Sequence, residues 1–347
     1  MRAMAVVPGR VETAAVIEIP EPAQEDGAVL VEGLLVGICG TDREISEDGY
    51  GEPPPGEEHL VLGHESLGRV LEAPEASELA PGDLVMGVVR RPDPVPCPCC
   101  ARGEWDFCRN GRYTERGIKG RHGYGAQRWR VEPDFAVRID PDLGDLGVLV
   151  EPASVVAKGW EQIERITARA CSVVQRVLVT GAGPIGLLAA ELARQRGLDL
   201  VVLDRSESGP KPELARALGA TYVTDLGDVT EEPDVVVECT GYGPLVLDLA
   251  RRLSPGGVMC LTGLSASEEE TPAPLHALNR DLVLANAIIV GTVNAARRHY
   301  ELAVAALAAA EKTWLERLLT RRVPLDRWPE SLQREPNDVK VAIDLRG

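Results

Sequence analysis

The second half of the chain alternates between short, β-branched apolar runs and longer stretches of helical composition. Runs at 177–180, 200–203, 222–224, 235–238, 258–262 and 287–290 predict six strands, and the segments 185–196, 212–218 and 245–253 predict helices between them. Strands alternating with helices in this way make a parallel α/β sheet, and six of them suit two mononucleotide-binding halves. The first half reads differently. A strand over 28–36 is followed by turn-rich segments at 51–56 and 91–98, so short strands joined by long loops are expected there. The character changes near Glu151. After the last α/β strand, the Ala-rich run 300–319 predicts one long helix, and 339–345 predicts a strand that returns to the first part of the chain. The expected division is a β-rich domain built from 1–157 and 296–347, with an α/β domain at 158–295 between its two pieces.

Length supports that division, because 347 residues exceed what one hydrophobic core usually serves. A net charge of −17 would repel phosphate backbones and anionic lipid surfaces, which excludes nucleic acid and membrane as general partners. Only 4% of residues are aromatic, so recognition by extensive stacking is not expected either. The segment from Met1 to Arg10 holds Pro8 and Gly9 and no long apolar core, and no apolar run is long enough to cross a bilayer; a cytoplasmic protein is expected. In such a setting the eight cysteines point to metal binding or catalysis with reduced thiols rather than to a disulfide framework.

The clearest local chemistry is Gly181-Ala182-Gly183-Pro184-Ile185-Gly186, which follows an apolar strand and opens a helical pattern. The first glycine permits a tight turn, the second lets backbone approach a pyrophosphate, and the third allows helix to pack closely on strand. The helix N-terminus would then hold the phosphates. The next strand ends in Asp204, where a carboxylate can accept from an adenosine ribose 2′-hydroxyl, while Arg205 and Ser206 beside it could hold a 2′-phosphate. Use of NAD, NADP or both is expected.

Three segments carry candidate metal ligands. Gly37-Ile38-Cys39-Gly40-Thr41-Asp42 ends an apolar strand in a turn, Gly63-His64-Glu65 follows a second apolar stretch, and Glu151-Pro152 opens a third segment. Thiolate, imidazole and carboxylate all suit zinc, and a catalytic site keeps one position open. Cys39, His64 and Glu151 would supply three ligands, with Glu65 either an alternating fourth or an outer carboxylate that tunes the metal.

These motifs, in this order and with the later glycine loop, resemble the zinc-dependent medium-chain dehydrogenase/reductase superfamily over nearly the whole chain. Narrower matches at 88–92, 113–118, Val150-Glu151-Pro152, Val293-Asn294 with His299, and 338–342 resemble archaeal-type glucose 1-dehydrogenases. The resemblance implies a GroES-like catalytic domain plus a Rossmann domain, zinc, NAD or NADP, and oxidation of an aldose at C1 to a lactone. It further implies Thr41, Glu115, Glu151, Asn294 and His299 as sugar-binding residues, with Thr41 and Glu151 catalytic. Thr240, Leu264, Val293 and Asn294 are implied at the cofactor, besides the glycine loop and Asp204 to Ser206. Relatives of this family often carry an acid shortly after the Glu-Pro pair, where this chain has Val155. A homodimer or homotetramer is implied as well. A polyol or simple-alcohol dehydrogenase and a nucleotide-binding sensor are the alternative readings.

Cys97, Cys99, Cys100 and Cys108 lie in a turn-rich segment and suggest a structural zinc. In the superfamily's four-cysteine lobe they fit incompletely: Cys97, Cys100 and Cys108 match the last three positions, while the first falls on Pro94, which cannot ligate. Asp93 or Cys99 could complete the set, with Cys99 favoured; a lobe that holds its shape without metal is the alternative. Cys171, Cys239 and Cys260 read as small buried residues of the nucleotide domain.

Overall fold

A computed structural model describes residues 1–171, 173–264 and 272–346, without the side chains of Val11 and Asp48. The chain divides into two compact units: Met1–Ser154 with Asn294–Gly347, and Val155–Val293.

The first unit is built on a seven-stranded sheet. Its central strand, Val29–Ile38, pairs with Glu65–Glu72, with Arg128–Val131 and with Lys340–Asp344, all antiparallel. The alternation of Val, Leu and Gly along Val29–Ile38 lets both faces pack, and Val36 and Ile38 join Met4, Leu60, Trp328, Val341 and Ile343 in one buried cluster. Lys340–Asp344 is the expected returning strand. The Ala-rich run is not one helix. It forms Arg297–Ala308 and Lys312–Leu318, and the chain then enters the strand Leu319–Pro324. Helix propensity is a weak term per residue, and here it yields to parallel pairing of that strand with Lys340–Asp344 and to burial of Trp314, Leu315 and Leu318.

The second unit is a six-stranded parallel sheet in the order Thr221–Val223, Asp199–Leu203, Arg176–Thr180, Val235–Glu238, Val258–Leu261, Ile288–Gly291. This is the 3-2-1-4-5-6 order of the doubly wound dinucleotide fold, with a switch point beside Arg176–Thr180. The helices Pro184–Gln195, Pro210–Ala217 and Gly243–Ala250 lie within a few residues of their expected limits. Of the three cysteines expected in the interior, Cys260 is buried and Cys239 half-buried, but Cys171 is exposed. It sits in the polar connection after the helix Val150–Thr167 rather than in a strand. Among the described residues, no helix is long and apolar enough to cross a membrane.

Candidate active site

In the first unit, Cys39 is the N-cap of the helix Gly40–Asp48, and its position is fixed from both sides. Its Sγ accepts the Thr41 N–H at 3.3 Å, and its own N–H donates to Asp42 Oδ2 at 2.9 Å. His64 Nε2 lies 3.0 Å from Cys39 Sγ, while His64 Nδ1 faces Asp42 Oδ1 at 3.5 Å. Glu65 starts the neighbouring strand in register with Gly37. That pairing depends on Gly37 having no side chain, because a Cβ there would stand 2.0 Å from Glu65 Oε2 and 2.9 Å from Lys340 Cε. Glu65 forms an ion pair with Lys340, whose Nζ also donates to Ile38 O at 3.1 Å.

The ligand atoms of Cys39, His64 and Glu65 all lie within 4.8 Å of one another. Burial opposes charge on the His64 ring, but the neighbouring Cys39 and Asp42 overcome it and push the imidazole well above its usual pKa. Burial likewise works against the Asp42 carboxylate, and His64 outweighs it and holds the group low. His64 Nδ1 and Asp42 Oδ1 are sealed and make no hydrogen bond. A half-buried thiol beside a buried imidazole and carboxylate, backed by a further acid, fits zinc. The negative field that holds a proton on this ring is the field a divalent cation would meet. Glu151, in the first turn of Val150–Thr167, stands outside the close group; burial, followed by the charge of Glu65, raises its carboxyl to about 7.

A second polar cluster lies in the same unit. Glu115 is buried, and its Oε1 accepts from Arg90 and from Asn294 Nδ2 at 2.7 Å. Asn294 holds a left-handed φ of 59°, uncommon for a residue other than glycine, and its Oδ1 accepts the Ala295 N–H at 2.8 Å. His299 is fully buried, with Nδ1 accepting the Ala296 N–H at 2.9 Å. That bond commits one ring nitrogen to the start of the helix Arg297–Ala308. Thr41 is half-buried, two residues beyond Cys39.

In the lobe, Cys97, Cys100 and Cys108 come together, with Cys97 and Cys100 sulfurs 3.6 Å apart. N–H groups of Arg109 and Cys100 donate to Cys97 Sγ and draw its thiol down to about 6, while burial pushes Cys100 up to about 11. Both expected fourth donors stand outside the group. Cys99 caps the short turn Cys100–Arg102, where adjacent side chains diverge, and Asp93 accepts from Val95 N and Arg112 Nε.

In the second unit the three loop glycines stand in different surroundings. Gly181 takes φ +85°, Gly183 caps the helix with open space where a Cβ would be, and a Cβ on Gly186 would lie 1.7 Å from Gly181 O. Pro184 opens the helix and Ile185 follows it, half-buried. Asp204 Oδ2 accepts the Ala182 N–H at 2.8 Å, Oδ1 accepts the Ser206 N–H at 2.9 Å, and Lys211 Nζ lies 3.4 Å away. Burial would raise this carboxyl, but those N–H donors win and hold it low. Arg205 is exposed, as are Leu264 and Val293. Thr240 is fastened through N–H and hydroxyl to Glu238, a fully buried carboxylate that also accepts from Gly241 N and Thr180 Oγ1.

Sequence reasoning did not single out Asp42, Lys340, Arg90, Glu238 or Lys211. Asp42 and Lys340 lie inside motifs that drew notice for their neighbours, three residues from Cys39 and within 338–342. A charged residue set in an apolar strand, such as Glu238 or Lys340, is the usable signal.

Residues 25–141 match the family described as alcohol dehydrogenase GroES-like domain, which gives the class: a GroES-like unit joined to a dinucleotide-type sheet, the architecture of alcohol-dehydrogenase-type oxidoreductases. Residues 144–345 match the family described as glucose dehydrogenase C-terminus. The chain is 37% identical to glucose 1-dehydrogenase of Methanocella arvoryzae, covering 99% of each, and 39% identical to that of Thermoproteus tenax, covering 100% of each. It is similar in structure to Haloferax mediterranei glucose dehydrogenase in complex with NADP, Zn and gluconolactone, with a TM-score of 0.92 and 34% identity over 100% of both chains. The chain belongs to the glucose dehydrogenase family.

Proposed function

We propose that this protein oxidises an aldose, D-glucose at C1, to the lactone, with zinc held in the first unit and hydride passing to NAD or NADP held by the second. The observation that carries the reading is the close group of half-buried Cys39 with buried His64 and Glu65, backed by Asp42, in a chain similar along its whole length to glucose dehydrogenases.

Cys39 and His64 would hold the metal, with Glu65 and Glu151 as the carboxylates available to it. Zinc, when bound, supplies a Lewis acid that lowers the pKa of the sugar hydroxyl. Asp42, 3.5 Å behind Nδ1, favours the ring orientation in which Nε2 faces Cys39 Sγ, where the metal would sit. The Thr41 hydroxyl receives the proton leaving the sugar and passes it outward. Glu115, Asn294 and His299 bind further hydroxyls, Glu151 touches both metal and sugar, and Cys97, Cys100 and Cys108 hold a structural zinc. On the dinucleotide side, Gly181, Gly183, Pro184, Ile185 and Gly186 seat the pyrophosphate, and Thr240, Leu264, Val293 and Asn294 line the rest of the cofactor. Asp204 already binds two backbone N–H groups, which leaves Arg205, Ser206 and Lys211 to receive a 2′-phosphate and supports use of both dinucleotides. We place the enzyme in the cytoplasm as a homodimer or homotetramer.

The test is a set of initial rates for aldoses, polyols and simple alcohols with each dinucleotide, run beside a zinc count. Glucose is expected to lead, and chelation to abolish turnover. Full activity after verified removal of metal, or a simple alcohol preferred over every sugar, overturns the reading.

A further inference from the structure

Arg90 and Glu115 face each other in register across the antiparallel pair Arg90–Arg91 and Thr114–Arg116. In the usual guanidinium–carboxylate fork, each carboxylate oxygen takes one N–H. Here both N–H groups converge on one oxygen: Nε lies 3.1 Å and Nη2 3.0 Å from Glu115 Oε1. Asn294 Nδ2 adds a third donor at 2.7 Å. Oε1 is thereby filled, while Oε2 accepts nothing from the described residues and is not among the sealed, unpartnered atoms. The guanidinium has little freedom to trade one oxygen for the other. Its Nη1 donates to Asp106 O at 3.2 Å, and its Cζ lies 3.8 Å from the centre of the Tyr113 ring. Asn294 is held as well, by its own Oδ1 on Ala295 N and by Trp105 Nε1 on Ala295 O at 3.2 Å.

We propose that Arg90 is a positioning residue for sugar binding: with Asn294 it consumes Glu115 Oε1, so that Oε2 alone is presented to sugar hydroxyls. This rests on the reading of Glu115 as a sugar-binding residue. A carboxylate oxygen only accepts, and a single fixed oxygen with two lone pairs suits two adjacent hydroxyls better than one. Arg90 itself touches no substrate. Its effect is to remove the rotation and the competing acceptor that would let a sugar bind in several poses.

The experiment compares Arg90→Lys, Arg90→Met, Glu115→Ala and the double variant Arg90→Met/Glu115→Ala in the zinc-loaded enzyme. KM and kcat are measured for glucose, and KM for the dinucleotide. Lysine keeps the charge and the stem but loses the planar fork, so it is expected to be the milder change and remains usable where Met fails to fold. We expect the glucose KM to rise about tenfold or more in Arg90→Met and less in Arg90→Lys, with the dinucleotide KM unchanged. A role in folding alone would lower kcat through lost active protein and leave the glucose KM in place. The double variant should be no worse than Glu115→Ala. Glucose KM values within about twofold of the parent in both Arg90 variants, with Glu115→Ala impaired, overturn the proposal alone. An unchanged glucose KM in Glu115→Ala overturns the reading of Glu115 beneath it.

Discussion

Replacing Gly37 by Ala is a sharp test of how the metal cluster is built. The backbone at Gly37 is ordinary extended strand, so alanine costs nothing in φ; its cost is entirely in space. The new methyl would stand 2.0 Å from Glu65 Oε2, 2.9 Å from Lys340 Cε and 3.1 Å from Glu65 Cβ, against ordinary contacts of 3.4–4 Å. Relieving the first contact to an ordinary distance shifts the carboxylate by more than an ångström while Lys340 Cε must also give, which disturbs the ion pair between them. Lys340 is only 1% exposed, so a separated pair leaves a buried charge without its counter-ion. Overpacking costs about 1–3 kcal/mol, and removing one partner of a buried pair about 3–5 kcal/mol. Lys340 retains the Ile38 carbonyl, which offsets part of the second cost, and we expect a net loss of about 3 kcal/mol. Equilibrium urea unfolding followed by tryptophan fluorescence measures this. Bound zinc, counted on the same samples, should fall as the Glu65 oxygen leaves the cluster. A variant within about 0.5 kcal/mol of the parent that keeps its full zinc content would refute the reasoning.

Further outcomes follow from other contacts. Gly186→Ala drives a methyl into Gly181 O and should weaken dinucleotide binding at least about tenfold by titration calorimetry, leaving the zinc count intact; equal affinity would count against the loop geometry. Asp42→Asn keeps shape but removes charge behind His64, and zinc affinity measured by chelator competition should drop about 10–100-fold. Of the lobe cysteines, Cys108→Ser should reduce zinc content while Cys99→Ser should not, and the reverse result would mean that Cys99 is the true ligand. Burial works against the Glu132 carboxylate, yet Arg91, bonded at 2.8 and 3.0 Å, with Arg121 pulls its pKa from 4.5 to about 2. A depressed folded-state value stabilises above the unfolded pKa, so this contribution is present at neutral pH and drains away as pH falls from 4.5 towards about 2. Glu132→Gln should therefore be less stable than the parent at pH 7 and converge with it in acid; parallel curves would refute the linkage.

Much of this architecture was legible in the amino-acid order. The six α/β strands were visible because a buried parallel strand is a short β-branched run with little else in it, and the loop at Gly181 announces itself by glycine spacing. The break in the Ala-rich run was hidden. Its composition favours helix throughout, and the turn at Ala309 to Glu311 answers to packing and strand pairing far along the chain. The proposed metal cluster was half visible for the same reason. Cys39 and His64 stand in turn motifs that show locally, but the nearness of Glu65 rather than Glu151 to that pair depends on the Gly37 register, which is a tertiary fact. Cys99 lies outside the close group of Cys97, Cys100 and Cys108; four cysteines in a short segment look equivalent until the turn at Cys100–Arg102 sends neighbours in different directions.

The ion pair between Glu65 and Lys340 has a consequence for the birth of the protein. Lys340 reaches the Ile38 carbonyl across 302 positions of sequence. On the ribosome, Cys39, Asp42, His64 and Glu65 are therefore made long before Lys340, the ammonium paired with Glu65 among the described residues. Until then Glu65 lacks the ammonium it pairs with in the finished fold. The strand Lys340–Asp344 closes the sheet late and delivers the balancing charge with it. The chain's direction of synthesis thus supplies the ligand-type side chains first and their balancing ammonium nearly last.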